Sequence, residues 1–103
     1  MTTIIISPPN IAWVDPTADL LRDHGLKVVR LGTLAIIGFL LMSDRIAAVV
    51  VHEDCVPPEW EAMRDRMQQL APTSKILIVA RDDARSPTDL AAWMASSGQR
   101  VGV

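Results

Sequence analysis

Residues 46–80 read IAAVVVHEDCVPPEWEAMRDRMQQLAPTSKILIVA and decide the fold of this chain. Two apolar runs, 47–51 and 75–80, have the length and the aliphatic, partly β-branched composition of buried strands. Between them, four apolar residues recur at i, i+3, i+7 and i+10, which predicts an amphipathic helix. These four residues are Trp60, Met63, Met67 and Leu70. A strand, a helix and a second strand in this order form a parallel βαβ unit.

The same alternation begins at the N-terminus. The runs Thr2–Ile6 and Lys27–Leu31 predict two further strands. Between them, Asp15 predicts an N-cap, Pro16 a first helical position, and Gly25 the end of a first helix. The first half of the chain therefore adds a second strand, helix and strand unit.

Two more helices and a last strand complete the pattern. Residues 33–43 follow Gly32 without an internal turn signal and predict a helix. Ser86 predicts the N-cap of another helix, with Pro87 at its first position. The buried face of that helix is predicted to consist of Leu90, Trp93 and Met94. Gly98 ends it, and residues 100–103 predict a short fifth strand.

Strict alternation of strands and helices predicts an α/β fold with a parallel sheet, because parallel strands need crossover connections. We expect a three-layer, flavodoxin-like architecture with five strands in the order 2-1-3-4-5. At 103 residues the chain is the size of one domain, and we predict a single domain over residues 1–103.

Composition excludes several classes of function. The net charge of −2 and the scattered basic residues do not form the patch of a nucleic-acid-binding protein. The longest apolar stretch, 34–42, is too short to span a membrane, and the N-terminus lacks the basic region of a signal peptide. Cys55 is the single cysteine, which rules out an internal disulfide and fits a reducing, cytoplasmic setting. No Gly-rich phosphate loop follows the first strand, so we predict no cofactor.

Residues 46–83 carry a resemblance to a known family. A buried strand, a proline-containing loop, a helix closing in Leu70-Ala-Pro and the segment Lys75–Asp83 follow one another there. In this pattern the chain resembles the receiver (CheY-like) domain of bacterial two-component response regulators. The resemblance covers nearly the whole chain and ends where a fifth receiver strand ends. It implies that the fifth receiver helix is missing.

The resemblance also implies that the receiver chemistry is lost. Receivers hold magnesium with acidic residues after strand one, and they contact the phosphoryl group with a hydroxyl after strand four and a lysine after strand five. The corresponding positions here carry Ser7, Pro8, Ala80 and Gly102. None of these side chains supplies a carboxylate or a lysine. We therefore expect no metal site and a degenerate pocket, as in a pseudo-receiver.

The position of the phospho-acceptor aspartate is ambiguous by two residues. The unbroken valines place His52 in register at the end of strand three, whereas the spacing to the following prolines favours Glu53 or Asp54. Our interpretation is that the three residues form an ordinary solvated loop. The alternatives are a fixed negative charge at Glu53 and a residual phospho-acceptor at Asp54.

Cys55 offers an alternative of a different class, a small enzyme. It lies after a strand, where a nucleophile is often placed, and His24 and His52 are conceivable bases. However, no Gly-rich cradle for an anion surrounds it. Trp60 and Trp93 lie at helical core spacing, so we interpret them as core residues rather than as parts of a ligand box.

The predicted helix 33–43 is apolar on two sides. One side covers the sheet, while the opposite side carries Ile36, Phe39 and Leu40. We predict that these three residues form an interface with a protein partner or with a second copy in a homodimer. The alternative is a misjudged strand or a slightly shifted helix. The missing fifth helix also favours a partner or a homodimer, because the sheet face near strands one and five would lack its cover.

The resulting functional hypothesis is a non-enzymatic, cytoplasmic signalling module of the two-component (phosphorelay) type. As a pseudo-receiver it would act through protein–protein interaction or dimerisation, without contacts to nucleic acid or membrane. The alternatives are a phospho-accepting receiver that uses Asp54 and an enzyme that uses Cys55.

Overall fold

The computed structural model describes residues 2–33, 45–80 and 86–95, which form a parallel sheet of four strands with three α-helices. The strands are β1 (Thr2–Ile6), β2 (Lys27–Leu31), β3 (Ile46–His52) and β4 (Lys75–Val79). The helices are α1 (Val14–Asp23), α2 (Trp60–Leu70) and α3 (Pro87–Ala95), and a short 3-10 turn spans Glu53–Cys55.

The strand order is β2-β1-β3-β4, and every pairing is parallel. This confirms the predicted α/β class and the predicted order of the first four strands, which is compatible with a flavodoxin-like fold. The predicted fifth strand at 100–103, the predicted helix 33–43 and its proposed interface lie outside the described residues.

Strand β3 lies at the centre of the molecule and is buried along its whole length. Side chains alternate between the two faces of a strand, and the core divides accordingly. On one face, which we call the α2 face, Val49 and Val51 pack in a cluster with Trp60 and Met67 of α2. On the opposite face, the α1 face, Val50 belongs to a cluster formed with α1 and α3.

Helix α3 lies on the α1 face, beside α1, and this placement corrects one expectation. Leu90, Ala91 and Met94 of α3 are buried in the same cluster as Leu21 of α1 and Ile5 of β1. The sequence led us to expect that this face would lack a cover near strand one because the fifth receiver helix is missing. That expectation is wrong, since α3 supplies a cover.

The position of α3 also bears on the predicted fifth strand. The connection from β3 to β4 runs through α2 on the opposite face of the sheet. Strand connections of this kind are right-handed in nearly all proteins. A parallel strand added beside β4 through α3, on the α1 face, would need a left-handed connection. A fifth strand at residues 100–103 stays a prediction, since these residues lie outside the described part of the chain.

The ends of α1 were predicted in part. The helix begins at Val14 with Trp13 at the N-cap, so the prediction of Asp15 as N-cap is wrong. Asp15 lies in the first turn instead, where a carboxylate is stabilised by the helix dipole. Gly25 has a φ of 81°, a left-handed conformation that favours glycine, which confirms it as the end of the helix.

The predicted faces of the other two helices are correct in most positions. In α2, Trp60 and Met67 are buried and Met63 packs against them, but Leu70 is 39% exposed and lies outside the buried face. In α3, the Ser86 hydroxyl accepts a hydrogen bond from the Asp89 backbone N–H at 3.1 Å, which confirms the predicted N-cap.

The three α-helices have 9 to 11 residues each. No helix in the described part of the chain has the length and apolar character that crossing a membrane requires.

Candidate functional site

The carboxyl ends of the four parallel strands meet at one edge of the sheet, where open α/β proteins bind their ligands. Ile6 is in register with Leu31 of β2 and with Val51 of β3, and His52 is in register with Val79 of β4. The segments that begin at Ser7, Gly32, Glu53 and Ala80 therefore leave the sheet at the same edge.

His52 is the central residue of the edge. It ends β3, and the residue as a whole is 2% exposed. The ring nitrogen Nδ1 accepts a hydrogen bond from the Asp54 backbone N–H at 3.0 Å. The Asp54 carboxylate oxygen Oδ2 lies 3.8 Å from the same nitrogen. A nitrogen that accepts a hydrogen bond carries no proton, so this geometry selects the neutral ring with its proton on Nε2.

Trp13 covers the His52 ring. The two ring centroids are 6.4 Å apart, and the ring planes differ by 14°, which is a stacked arrangement. The loop after β1 brings Trp13 there. Asn10 adopts a left-handed φ of 65°, and the Val14 backbone N–H donates to the Ile11 carbonyl at 3.1 Å as α1 begins. The two aromatic side chains thus stack where the loop after β1 meets the end of β3.

The geometry decides which residue ends β3. Of the three candidates for the acceptor position, His52 is the one that lies within the strand, in register with Val79. Glu53 and Asp54 belong to the 3-10 turn and are exposed. The prediction of a solvated loop therefore holds for the two acids but is wrong for His52, because the buried ring packs under Trp13.

Cys55 ends the turn in an environment that keeps its thiol protonated. Its Sγ donates to the Gly32 carbonyl oxygen at 3.5 Å, which joins the turn to the end of β2. Burial raises the pKa of the Cys55 thiol, and the negative charge of Asp54 raises that pKa further. Since the thiolate is the nucleophilic form, both effects work against the alternative of a catalytic cysteine.

A shallow cleft of about 230 Å³ lies between the loops that follow β1 and β2. Its lining consists of Ser7, Pro8, Pro9, Arg30, Leu31 and Gly32. The polar groups of this cleft have partners within the protein. The Ser7 hydroxyl donates to the Pro8 carbonyl at 3.1 Å, and the Arg30 guanidinium donates to the Asp15 carboxylate.

The other predicted site residues are not part of the Trp13–His52 contact, or they lie outside the described residues. Ala80 follows β4 and is exposed, while Gly102, Ile36, Phe39 and Leu40 lie outside the described residues. Among the residues that the structure describes, no group of three or more His, Cys, Asp or Glu side chains could hold a metal ion.

The tryptophans predicted to belong to the core have different environments. Trp60 is buried in the cluster on the α2 face. Trp93 is partly buried against the cluster on the α1 face, and the Lys75 ammonium lies 5.0 Å from its ring centroid.

The contact between Trp13 and His52 was not among the contacts predicted from the sequence. A signal for the contact was present, because Trp13 follows the first strand closely and His52 ends the third. In the predicted strand order these two strands are neighbours, and their carboxyl ends share one edge. Pairing the aromatic residues that follow adjacent parallel strands would have found the contact.

Comparisons with models of protein families, with curated proteins and with solved structures find no match to this chain.

Proposed function

We propose that this chain is a non-catalytic, receiver-like signalling module of the cytoplasm that acts by contact with another protein. The proposal is carried by one observation, the stacking of Trp13 on the buried His52 ring at the carboxyl edge of the sheet. In this account the aromatic pair occupies the place where a receiver would hold its magnesium ion and phosphoryl group. The edge is then a structural element rather than a reaction centre.

The chemistry of the surrounding residues supports this account. Phosphoryl transfer needs a nucleophile together with positive charge that stabilises the transferring group. His52 uses Nδ1 as an acceptor for a backbone N–H, and Ser7 and Pro8 bring no carboxylate for a metal. Arg30, on the nearby cleft, is already paired with Asp15. No arrangement of these groups reproduces a phosphorylation site.

One observation favours the alternative of a residual phospho-acceptor. The Asp54 carboxylate is exposed at the same edge and lies directly beside the strand end. In the part of the chain that the structure describes, no group of three or more His, Cys, Asp or Glu side chains could hold magnesium, which would be the main electrostatic support for the reaction. Asp54 is therefore the residue at which binding of a phosphoryl mimic is tested.

Beryllofluoride with magnesium, a mimic of the phosphoryl group, tests this half of the proposal. We expect its titration into the ¹⁵N-labelled protein to cause no saturable shift in the backbone amides of residues 52–55. Saturable shifts there that disappear in Asp54→Asn, but persist in Asp65→Asn, would establish the phospho-acceptor instead. Asp65 is a matched control because it is an exposed acid on α2.

The interaction half of the proposal concerns Ile36, Phe39 and Leu40, which we propose as a contact with a second copy of the chain. We expect light scattering to show a dimer for the native protein and a monomer for Phe39→Asp, with an unchanged circular dichroism spectrum. Phe39→Leu, which keeps an apolar side chain, should remain dimeric. A monomeric native protein together with an unfolded Phe39→Asp variant would identify Phe39 as a core residue and refute the interface.

A further inference from the structure

We propose that Trp13, His52 and Asp54 form a proton-operated switch that controls the position of the 3-10 turn Glu53–Cys55. The inference deepens the proposed function, since it assigns a regulatory role to the aromatic pair, and it rests on that pair filling the strand edge. It does not depend on which partner the protein binds. The switch depends on the two hydrogen-bonding states of one nitrogen, Nδ1 of His52.

In the neutral state, Nδ1 holds the turn in place. It accepts the Asp54 backbone N–H at 3.0 Å, so the ring itself supplies a side-chain cap for the turn. The turn closes on itself through the Val56 backbone N–H, which donates to the Glu53 carbonyl at 3.1 Å. The buried ring has little freedom to move, because it is 2% exposed and lies under Trp13.

A proton on the ring reverses the role of Nδ1. Imidazolium carries a proton on both nitrogens and accepts no hydrogen bond, so the contact with the Asp54 N–H is lost and becomes repulsive. The Asp54 carboxylate oxygen Oδ2 lies 3.8 Å from the same nitrogen and offers a negatively charged acceptor. The indole ring of Trp13 is stacked beside the imidazole, with the two ring centroids 6.4 Å apart, so the new positive charge would arise next to an aromatic ring. Both contacts let the ring stay while the backbone of the turn moves.

Of the charged groups around His52, Asp54 is the one that would interact with a protonated ring. Within β3 itself the residues that precede His52 are valines, and β4 places Val79 beside it. On α1, the nearest acid along the chain from Trp13 is Asp15, whose carboxylate is held by Arg30. In the turn, Cys55 keeps its proton at neutral pH because its pKa is raised, first by burial and then by Asp54. Among the described residues, Asp54 is the acid within 4 Å of the His52 ring nitrogens.

Movement of the turn would reach a wider surface through Cys55. Its Sγ contacts the Gly32 carbonyl at 3.5 Å, and Gly32 also lines the cleft beside Ser7. The turn therefore contacts a residue, directly after β2, that also lines the cleft. A shift of Glu53 and Asp54 would rearrange the exposed acids at this edge, and a partner seated there would respond to pH.

A pH titration of the native protein by two-dimensional ¹H–¹⁵N NMR tests the switch. We expect the Asp54 backbone amide and the Trp13 indole N–H, assigned with Trp13→Phe, to shift together with one midpoint that coincides with protonation of His52. The variant His52→Asn keeps an acceptor at the Nδ1 position but does not titrate. At the same mildly acidic pH, the Asp54 amide should exchange with solvent up to about tenfold faster in the native protein than in this variant.

His24 is the matched control, because it is an exposed histidine beyond the end of α1. His24→Asn should leave the joint transition unchanged. The switch is overturned if the two resonances move with different midpoints, if the transition persists in His52→Asn, or if His52 gains no proton before the protein unfolds. If His52→Asn does not fold, the coincidence of the midpoints in the native protein still decides. None of these outcomes changes the beryllofluoride result, so a failure of the switch is distinct from a failure of the proposed function.

Discussion

At the level of single residues, the histidine that ends β3 determines how the side chains at this strand edge pack and form hydrogen bonds. An aspartate at this register would present two acceptor oxygens and a negative charge, whereas the neutral His52 ring uses one nitrogen to cap a backbone turn. Trp13 then packs on the ring, which a charged, hydrated carboxylate would not allow. One residue therefore accounts for both the buried edge and the capped turn.

Cys55 gives a prediction from its raised pKa. Because burial and then Asp54 raise that pKa, the thiol keeps its proton at neutral pH, and alkylation by iodoacetamide should be slow until the pH rises through the raised value. Below the ordinary pKa of a thiol the same shift stabilises the fold, and this contribution is lost as the pH rises through the folded-state value.

A pair of variants separates the two causes. Asp54→Asn removes the second cause and lowers the pKa, so at a fixed pH alkylation should become about two to five times faster. Glu53→Gln is the control, because this exposed neighbour does not contribute to the shift. Rapid alkylation of the native protein at neutral pH would contradict the account of Cys55.

Gly25 gives a second prediction at this scale. Its φ of 81° is costly for any residue with a Cβ, so Gly25→Ala should lower the free energy of unfolding by about 1 kcal/mol in urea denaturation. Gly32→Ala is the control. A Cβ at either position meets open space, but the φ of Gly32 is not left-handed. Equal stability changes for the two variants would show that backbone conformation is not the cause.

At the scale of secondary structure, short-range signals predicted the start of α3 better than that of α1. Ser86 is followed by proline and then by an acid, and its hydroxyl caps the Asp89 N–H as predicted. Asp15 is also followed by proline and threonine, although Ala18 stands where the other helix has its acid, and α1 begins earlier, at Val14. The reason lies in tertiary contacts, because the stacking of Trp13 on His52 and the burial of Val14 place both residues at the start of the helix.

The cap of α3 is tested by Ser86→Ala, which leaves the Asp89 backbone N–H without its side-chain acceptor. We expect the free energy of unfolding to fall by about 1 kcal/mol. Ser86→Asp retains an acceptor and should stay within about 0.5 kcal/mol of the native protein. Chemical denaturation measures both values, and an equal loss in the two variants would mean that the cap hydrogen bond is not what stabilises this helix.

At the level of the whole domain, the order of the first four strands could be predicted from the sequence. The face of the sheet on which α3 packs could not. Alternating strands and helices imply parallel pairing, and right-handed crossovers then leave few possible orders. The face on which α3 packs depends on contacts between Leu90, Met94 and Leu21, which are distant in sequence. A helical pattern shows that α3 has a buried side but not which face of the sheet buries it. The contact between Trp13 and His52 was missed for a different reason, because the residues that follow the neighbouring strands β1 and β3 were not paired.

The packing of α3 leads to a prediction for two leucines that the helical pattern treats alike. Leu90 is 2% exposed within the cluster on the α1 face, whereas Leu70 of α2 is 39% exposed. We expect Leu90→Ala to lower the free energy of unfolding by about 2–5 kcal/mol and Leu70→Ala by about 1 kcal/mol or less. Similar losses for the two variants, measured by denaturant unfolding, would contradict the placement of α3.

Trp13 stacks on the His52 ring at the carboxyl edge of the sheet, and the proposed function depends on this contact. Proton NMR of the native protein at neutral pH tests it most directly, through nuclear Overhauser contacts between the two rings. The account predicts cross-peaks between the Trp13 indole protons and the His52 imidazole protons, as the stacked rings require. A Trp13 indole without a cross-peak to the imidazole would leave the edge open and contradict the account.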